Sequence, residues 1–367
     1  MTGGTRARLA AVPARSGGPG SPRVVSPAPA AAWDEVARSD PGTVVSQSLA
    51  WRDAVLSDGR YTDTSLLYEF GDGHRIVLPL ARRRLCPPWA AVTGSWPGGW
   101  GVGGPLCEGG QVSPAQAAAV LAGLARRPGV AATLQFRHDP GGAWLDQAAG
   151  FQPERRGCHV LDLAGGFGEV WQHRFRGTAR TAMRKAERSG VTVEVDRTGR
   201  LLPAFCDLYG KSLQRWAARQ HEPVWLSRLR SARDKTDRII TLVSRQFGVN
   251  CGIWVASWRG MPVAAIIVLT YGGYAKYWRG AMDAGPANRV RASDLLHKLA
   301  IEDACQQGYR WYDMGWTRPG SSLAGFKEKL GADLHYTWTL RTERLPLQAA
   351  ARISRQAVKK LIGFRDV

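Results

Sequence analysis

The sequence is poor in the residue patterns that build metal and redox centres. Its six cysteines (Cys86, Cys107, Cys158, Cys206, Cys251, Cys305) are scattered and none form CxxC. That excludes a zinc ribbon or a dithiol redox motif and fits a reducing compartment, with each thiol a small buried apolar group. His74, His138, His159, His173, His221, His297 and His335 show no HxxxH or HxH spacing, so no metal is expected. GxSxG is absent, which leaves a serine hydrolase unsupported. GxxxxGK[ST] is absent too, and no GxGxxG sits between a strand and a helix. No apolar run reaches about 18 residues, which excludes a membrane-spanning helix. Residues 1–32 lack the apolar stretch of a secretory signal, so a cytoplasmic protein is expected.

Acid is also scarce. Thirty Asp and Glu face fifty Lys and Arg, for a formal net charge of +20. Residues 1–32 hold Arg6, Arg8, Arg15 and Arg23 and no acid. Residues 341–367 hold seven Lys and Arg against Glu343 and Asp366. Such a balance favours RNA, a phosphate-rich substrate or an anionic membrane surface as partner, with DNA not expected. An arginine-rich composition without any such partner is the competing reading.

What is present is ample apolar material: 44% hydrophobic residues and 15 Trp in 367 residues, enough for two ordinary domains. Residues 1–32 have almost nothing to bury and read as a disordered basic tail. A first domain is expected over 33–165. Ser46 or Ser48 can cap a short helix through Trp51 and Val55. Residues 66–70 and 74–80 flank a GDG turn and read as a hairpin. Residues 86–110, rich in Gly, Pro and Trp, read as irregular. Trp89, Trp96 and Trp100 there either face a sugar or base, or plug a gap, the second being the commoner fate of Trp. Ser113-Pro114 opens a helix. A strand at 129–137, a short helix and a strand at 158–163 follow.

A second domain is expected over 166–341. Residues 167–189 read as one helix, with Arg180, Arg184 and Arg188 on a common basic face. Helices are expected over 201–220 and 224–234, with another around Ile239 to Phe247. Cys251 to Met282 is an apolar run broken at Arg259-Gly260 and Gly272-Gly273, which reads as three strands in a meander. A helix capped by Ser293 and ended by Gly308 comes next, then a strand at 311–316, a short helix ending at Gly331 and a last strand. The fold class is α/β, a mixed sheet with helices packed on it. Residues 342–367 read as a basic amphipathic helix, docked on its own domain or lying on an anionic membrane.

The order strand-strand-strand-helix-strand-helix-strand resembles the acyl-transfer part of the GNAT fold. The wording of four pieces is similar to its FemAB/FemX-like branch, which includes related acetyltransferase domains of envelope polysaccharide clusters: 180–195, the meander, WYDMGW at 311–316 and GFKEKLGA at 325–332. The first half repeats the element order, so the resemblance implies two tandem GNAT-like domains. It implies an acyltransferase, with a Phe-Lys pair at Phe326 and Lys327 implicated in transfer. Lys327 would stabilise the oxyanion, Phe326 would position it, and Asp313 would serve as a base or hold the amine. Arg180 and Arg184 are expected beside the cleft, and Tyr277 and Arg279 against substrate. In GNAT enzymes a glycine-rich turn before a helix holds the pyrophosphate of acetyl-CoA. Here Arg289, Arg291, Ala292 and Ser293 stand in that segment, so arginine side chains would hold phosphate. The donor implied is acetyl-CoA or another acyl-CoA, the alternative being aminoacyl-tRNA. The acceptor is an amine on an envelope precursor or small metabolite, reached from the inner face of the membrane. A basic RNA- or membrane-binding protein without activity is the competing class.

Overall fold

A computed structural model describes residues 21–97, 100–139, 141–220 and 236–345, together with 353 and 356. The helix expected over 224–234 and most of the one expected over 342–367 lie outside the described residues.

The first half opens with strand β1 (Arg23–Val25), helix α1 (Ala30–Ser39) and helix α2 (Leu49–Ser57). Strand β1 pairs with Leu67–Glu69, and Trp33 and Val36 of α1 are buried. Residues 23–32 are therefore ordered, contrary to the expected tail, because Val24, Val25 and Ala28 find apolar neighbours on the following hairpin and helices. Ser48 is the cap of α2: its hydroxyl accepts from the Trp51 backbone N–H at 3.2 Å. Strands β2 (Tyr61–Asp63), β3 (Leu66–Glu69), β4 (Arg75–Leu78), β5 (Ala81–Arg83), β6 (Val92–Gly94) and β7 (Leu106–Cys107) come next. Helix α3 (Pro114–Arg126) starts with a reciprocal Ser113–Gln116 capping box. Strand β8 (Ala131–His138), helix α4 (Gly142–Asp146) and strand β9 (Gln152–Asp162) complete this half.

In the second half the expected helix over 167–189 is broken. It consists of α5 (Gly166–Glu169), a wide turn at Val170–Arg174, and α6 (Gly177–Arg188). Phe175 leaves helical geometry to bury its ring against Phe167 and Trp171. Strand β10 (Thr192–Asp196), α7 (Leu202–Arg219) and α8 (Thr236–Phe247) precede the meander β11 (Cys251–Trp258), β12 (Met261–Tyr271) and β13 (Tyr274–Met282). Then come α9 (Ala284–Val290), α10 (Ala292–Gln306), β14 (Trp311–Trp316), α11 (Ser322–Lys329) and β15 (Asp333–Glu343). Ser293 is not the cap of α10. That place is held by Arg291 in left-handed geometry (φ 60°), because α9 runs directly into the helix start.

Among the described residues eleven strands form one sheet, ordered β10-β11-β12-β13-β14-β9-β15-β8-β6-β5-β2. Each half's last strand lies inside the other half's territory. β9 pairs with β14, and β15 fills the space between β9 and β8. Read from either end, the sheet passes two or three strands, then a short parallel pair, then the β9–β15 couple. The parallel pairs are β13–β14 and β6–β8. The two halves thus repeat one strand plan on either side of β9–β15, as expected of two tandem domains of one kind. The halves also share a core: Trp33, Trp51, Trp96 and Trp100 of the first pack with Phe205, Ile240, Val243 and Phe247 of the second. Trp96 and Trp100 are thus buried, while Trp89 is 74% exposed.

Candidate active site

The site begins where two strands part. β13 and β14 pair only over three residues, Tyr274 to Lys276 against Trp311 to Asp313. Beyond Lys276 the β14 side of β13 has no strand partner among the described residues. β13 also carries a bulge there, since Ile267 faces Arg279 while Val268 faces Tyr277, leaving Trp278 as the extra residue. The fork opens into a cleft of about 2360 Å³ lined from both halves of the chain.

At the bottom of the fork the Lys276 Nζ donates to Asp313 Oδ2 at 2.6 Å, and the Gly315 N–H donates to Asp313 Oδ1 at 2.7 Å. Burial alone would raise the Asp313 pKa. The Lys276 ammonium and the Gly315 N–H outweigh it and hold the carboxyl below its usual value, so it is ionised. Asp313, Cys158, Arg156, Thr337 and His138 all line this floor. His138 comes from the end of β8, and its Nε2 lies 3.3 Å from the Tyr274 hydroxyl. Sequence reasoning passed over His138 and Lys276: nothing near either in the chain marks them, since β8 and β13 meet only through the interleaved strands.

Lys327 is 2% exposed. Its Nζ donates to Gly315 O at 3.0 Å, to Trp316 O at 3.1 Å and to the Thr317 hydroxyl. An ammonium has three N–H bonds, and all three are used. Lys327 therefore does not aim a donor at a developing oxyanion, as the sequence reading has it. It straps the turn that ends β14, where Gly315 takes φ 72° and the ladder to β9 slips. Burial pulls its pKa down to about 8 against the pull of Asp313, with Lys276 lowering it further. Phe326 packs edge-on against His297, ring centroids 5.4 Å apart, and Tyr277 does the same at 4.6 Å. His297 Nδ1 lies 3.1 Å from the Tyr312 hydroxyl. Burial drives this imidazole down to about 3, so it stays neutral. These rings form the apolar wall behind the fork.

The far end of the cleft is basic. Arg291 and Ser293 line it at the start of α10, with Arg279 on β13 and Arg215, Trp216 and Arg219 on α7. Arg215 also donates to Met282 O at 2.8 Å. Arg291 supplies no side-chain cap; the Asp294 N–H bonds the Arg291 carbonyl at 3.1 Å, and the dipole of the helix start favours an incoming anion. Asp294 in the first turn would repel one, but Lys329 pairs with it. The residues fit a diphosphate held by guanidinium groups and a helix start rather than by a glycine loop. The arginines of α7 were not foreseen, because in sequence they are merely the polar side of an amphipathic helix.

Three expected arginines are elsewhere. Arg180 turns inward and donates to the carbonyls of Trp171, Gln172 and Phe175 at 2.9, 3.0 and 2.9 Å. It holds the broken helix together. Arg184 stacks over Trp171. Arg289 lies in a separate shallow groove with Lys185, Trp258 and Arg259. None of the three is among the residues lining the cleft.

The first half has the matching fork between β6 and β8, and it is filled. The Ser95 hydroxyl accepts from Gln135 N at 2.9 Å and from Gly104 N at 3.3 Å. Gly104, at φ 77°, lies so close that a Cβ there would sit 2.8 Å from Gln135 O. The Gly-rich loop thus closes its own fork. Among the described residues no group of three or more His, Cys, Asp or Glu is placed to hold a metal.

Residues 173–328 match the family model described as acetyltransferase (GNAT) domain, and no curated protein matches the chain. Over residues 173–328 the chain accordingly has the character of a GNAT domain, and the class this supports is acyltransferase. Among solved structures, the chain is similar to FemX at 13% identity and a TM-score of 0.64, covering 85% of this chain and 96% of that one. It is also similar to a conserved protein of unknown function from Bacteroides thetaiotaomicron at 9% identity and a TM-score of 0.52, covering 86% and 98%. A tandem GNAT protein from the clavulanic acid biosynthesis pathway matches at 14% identity and a TM-score of 0.42, covering 78% and 84%. The FemX likeness extends across both halves and shows a shared fold.

Proposed function

We propose that the chain transfers an acyl group, acetyl in the simplest case, from acyl-CoA to an amine bound in the cleft. The observation that carries this reading is the open fork: β13 and β14 part at the Lys276–Asp313 pair, and a helix start with arginines lies beyond. In this reading Arg215, Arg219, Arg291 and Ser293 hold the donor's phosphates, and its acyl arm runs along the unpaired edge of β13. Backbone N–H groups of that edge, rather than Lys327, face the carbonyl oxygen. Ionised Asp313 holds the acceptor ammonium, and the Lys276 ammonium beside it favours loss of the amine's proton. Attack forms the C–N bond and makes the nitrogen strongly acidic. The ammonium's first proton goes to solvent before attack; the second passes from the nitrogen to Asp313 and then to solvent as the C–S bond breaks and the CoA thiolate leaves.

The acceptor is an amine of an envelope precursor or a small metabolite. The cleft is far larger than a lone amine requires and its floor is polar. Among the described residues no helix is long and apolar enough to cross a membrane. The basic segments support a location at the inner membrane surface. Aminoacyl-tRNA is the second donor, favoured by one observation: α9 and Arg291 occupy the place of the glycine turn.

Release of free thiol from acetyl-CoA across a panel of primary amines tests the first reading. Amine-dependent thiol release supports it. Its absence, with transfer from aminoacyl-tRNA instead, replaces it with the second.

A further inference from the structure

Tyr274 and His138 come from opposite halves of the chain and meet where His138 lines the cleft, with Tyr274 buried behind it. Tyr274 is 3% exposed, and burial raises its phenol well above the usual value, so it keeps its proton. A buried hydroxyl proton needs an acceptor. The partner in reach is His138 Nε2, at 3.3 Å. Nε2 therefore accepts, and in a neutral imidazole the ring proton must then sit on Nδ1. The ring is neutral: burial lowers its pKa, with Asp313 and Asp139 opposing and His335 and Arg137 assisting. His335 is itself tied to Asp139 at 2.7 Å, so it does not compete for the ring. His138 Nδ1 has no hydrogen-bond partner among the described residues, and the residue lines the cleft.

We propose that His138 is a neutral hydrogen-bond donor to the acyl acceptor, with Tyr274 fixing which ring nitrogen carries the proton. The inference rests on the reading of this cleft as the transfer site. It makes the first half a part of the acceptor site, although its own fork is filled. The acceptor would carry an oxygen next to its amine: a hydroxyl, carbonyl or carboxylate within reach of both Nδ1–H and Asp313. An amine with no such oxygen would lack this contact.

Long-range nitrogen NMR of histidine-labelled full-length protein reads the tautomer without any ligand. The expected result is a protonated Nδ1 and a bare Nε2 for His138, with mixed tautomers in Tyr274→Phe. A proton on Nε2, or an imidazolium at pH 7, overturns the proposal. A pair of variants then reads function. His138→Asn keeps an N–H near the Nδ1 position, whereas His138→Gln moves it toward Nε2. With an acceptor drawn from the amine panel, His138→Asn keeps KM near wild type, and His138→Gln raises it roughly tenfold. Affinity for CoA is unchanged in both. Equal behaviour of the two variants overturns the donor role. If no amine in the panel reacts, that result counts against the transfer reading, and the tautomer alone decides the assignment of His138.

Discussion

In the proposed transfer, Lys327 is a buried ammonium that serves the chemistry without touching substrate. Its three donors hold Gly315, Trp316 and Thr317, and Gly315 N–H in turn orients Asp313. Lys327→Met leaves two carbonyls and a hydroxyl without their partner, so it should lower the transfer rate at least about a hundredfold, while CoA affinity holds. A rate within threefold of wild type would contradict the strap. The pH dependence has two opposite signs. The folded-state pKa is lowered to about 8 from 10.5. Between those values the unfolded chain holds a proton that the folded one has lost, so this group's contribution to stability rises with pH. Activity should instead fall above pH 8, as the neutral amine loses one of its three donors. Thermal unfolding and initial rates over pH 7 to 10 separate the two. The Phe326–Lys327 pair was legible in the sequence as a place, but its role was not. Which N–H bonds are already spent depends on a turn ten residues away that only the folded chain brings close.

At the scale of elements, the meander, the helix after it and both short helices could be read from apolar period, turn glycines and caps. Ser48 and Ser113 act as the sequence indicates. The interleaving of β9 and β15 could not be read. β15 mixes polar and apolar residues along its length, β9 has an exposed polar first half (Gln152–Arg156) before a buried second half, and register between distant strands leaves no local mark. The break at Phe175 was missed because the spacing of Arg180, Arg184 and Arg188 was extended back across Gly177 and Gly168, which disfavour a continuous helix. The interleaving has a consequence for folding. A chain ending at residue 332 lacks β15, which supplies pairing to both β8 and β9. It should be insoluble or readily digested, rather than a chain with only one half disturbed. Limited proteolysis showing a protected fragment from either half would contradict this. The basic end of the cleft gives a milder test of the proposed donor site. Arg215→Gln and Arg219→Gln should each weaken CoA binding by roughly tenfold, and Arg180→Gln should act on thermal stability instead. Calorimetry and melting curves distinguish these outcomes.

For the whole molecule, the two halves have one plan and different fates. The first fork is closed by Ser95 and Gly104, and the second stays open over Lys276 and Asp313. The first half serves as a wall of the cleft and as the source of His138. Net charge of +20 draws any polyanion at low salt, so binding must be measured where screening is substantial. The most direct test is calorimetric titration with acetyl-CoA in moderate salt, with aminoacyl-tRNA and an unrelated RNA alongside. One saturable CoA site per chain, lost in Arg215→Gln/Arg219→Gln, is the predicted result. Two sites would mean that the first fork is open after all. No CoA binding, with aminoacyl-tRNA preferred over the control RNA, would contradict acyl-CoA as donor.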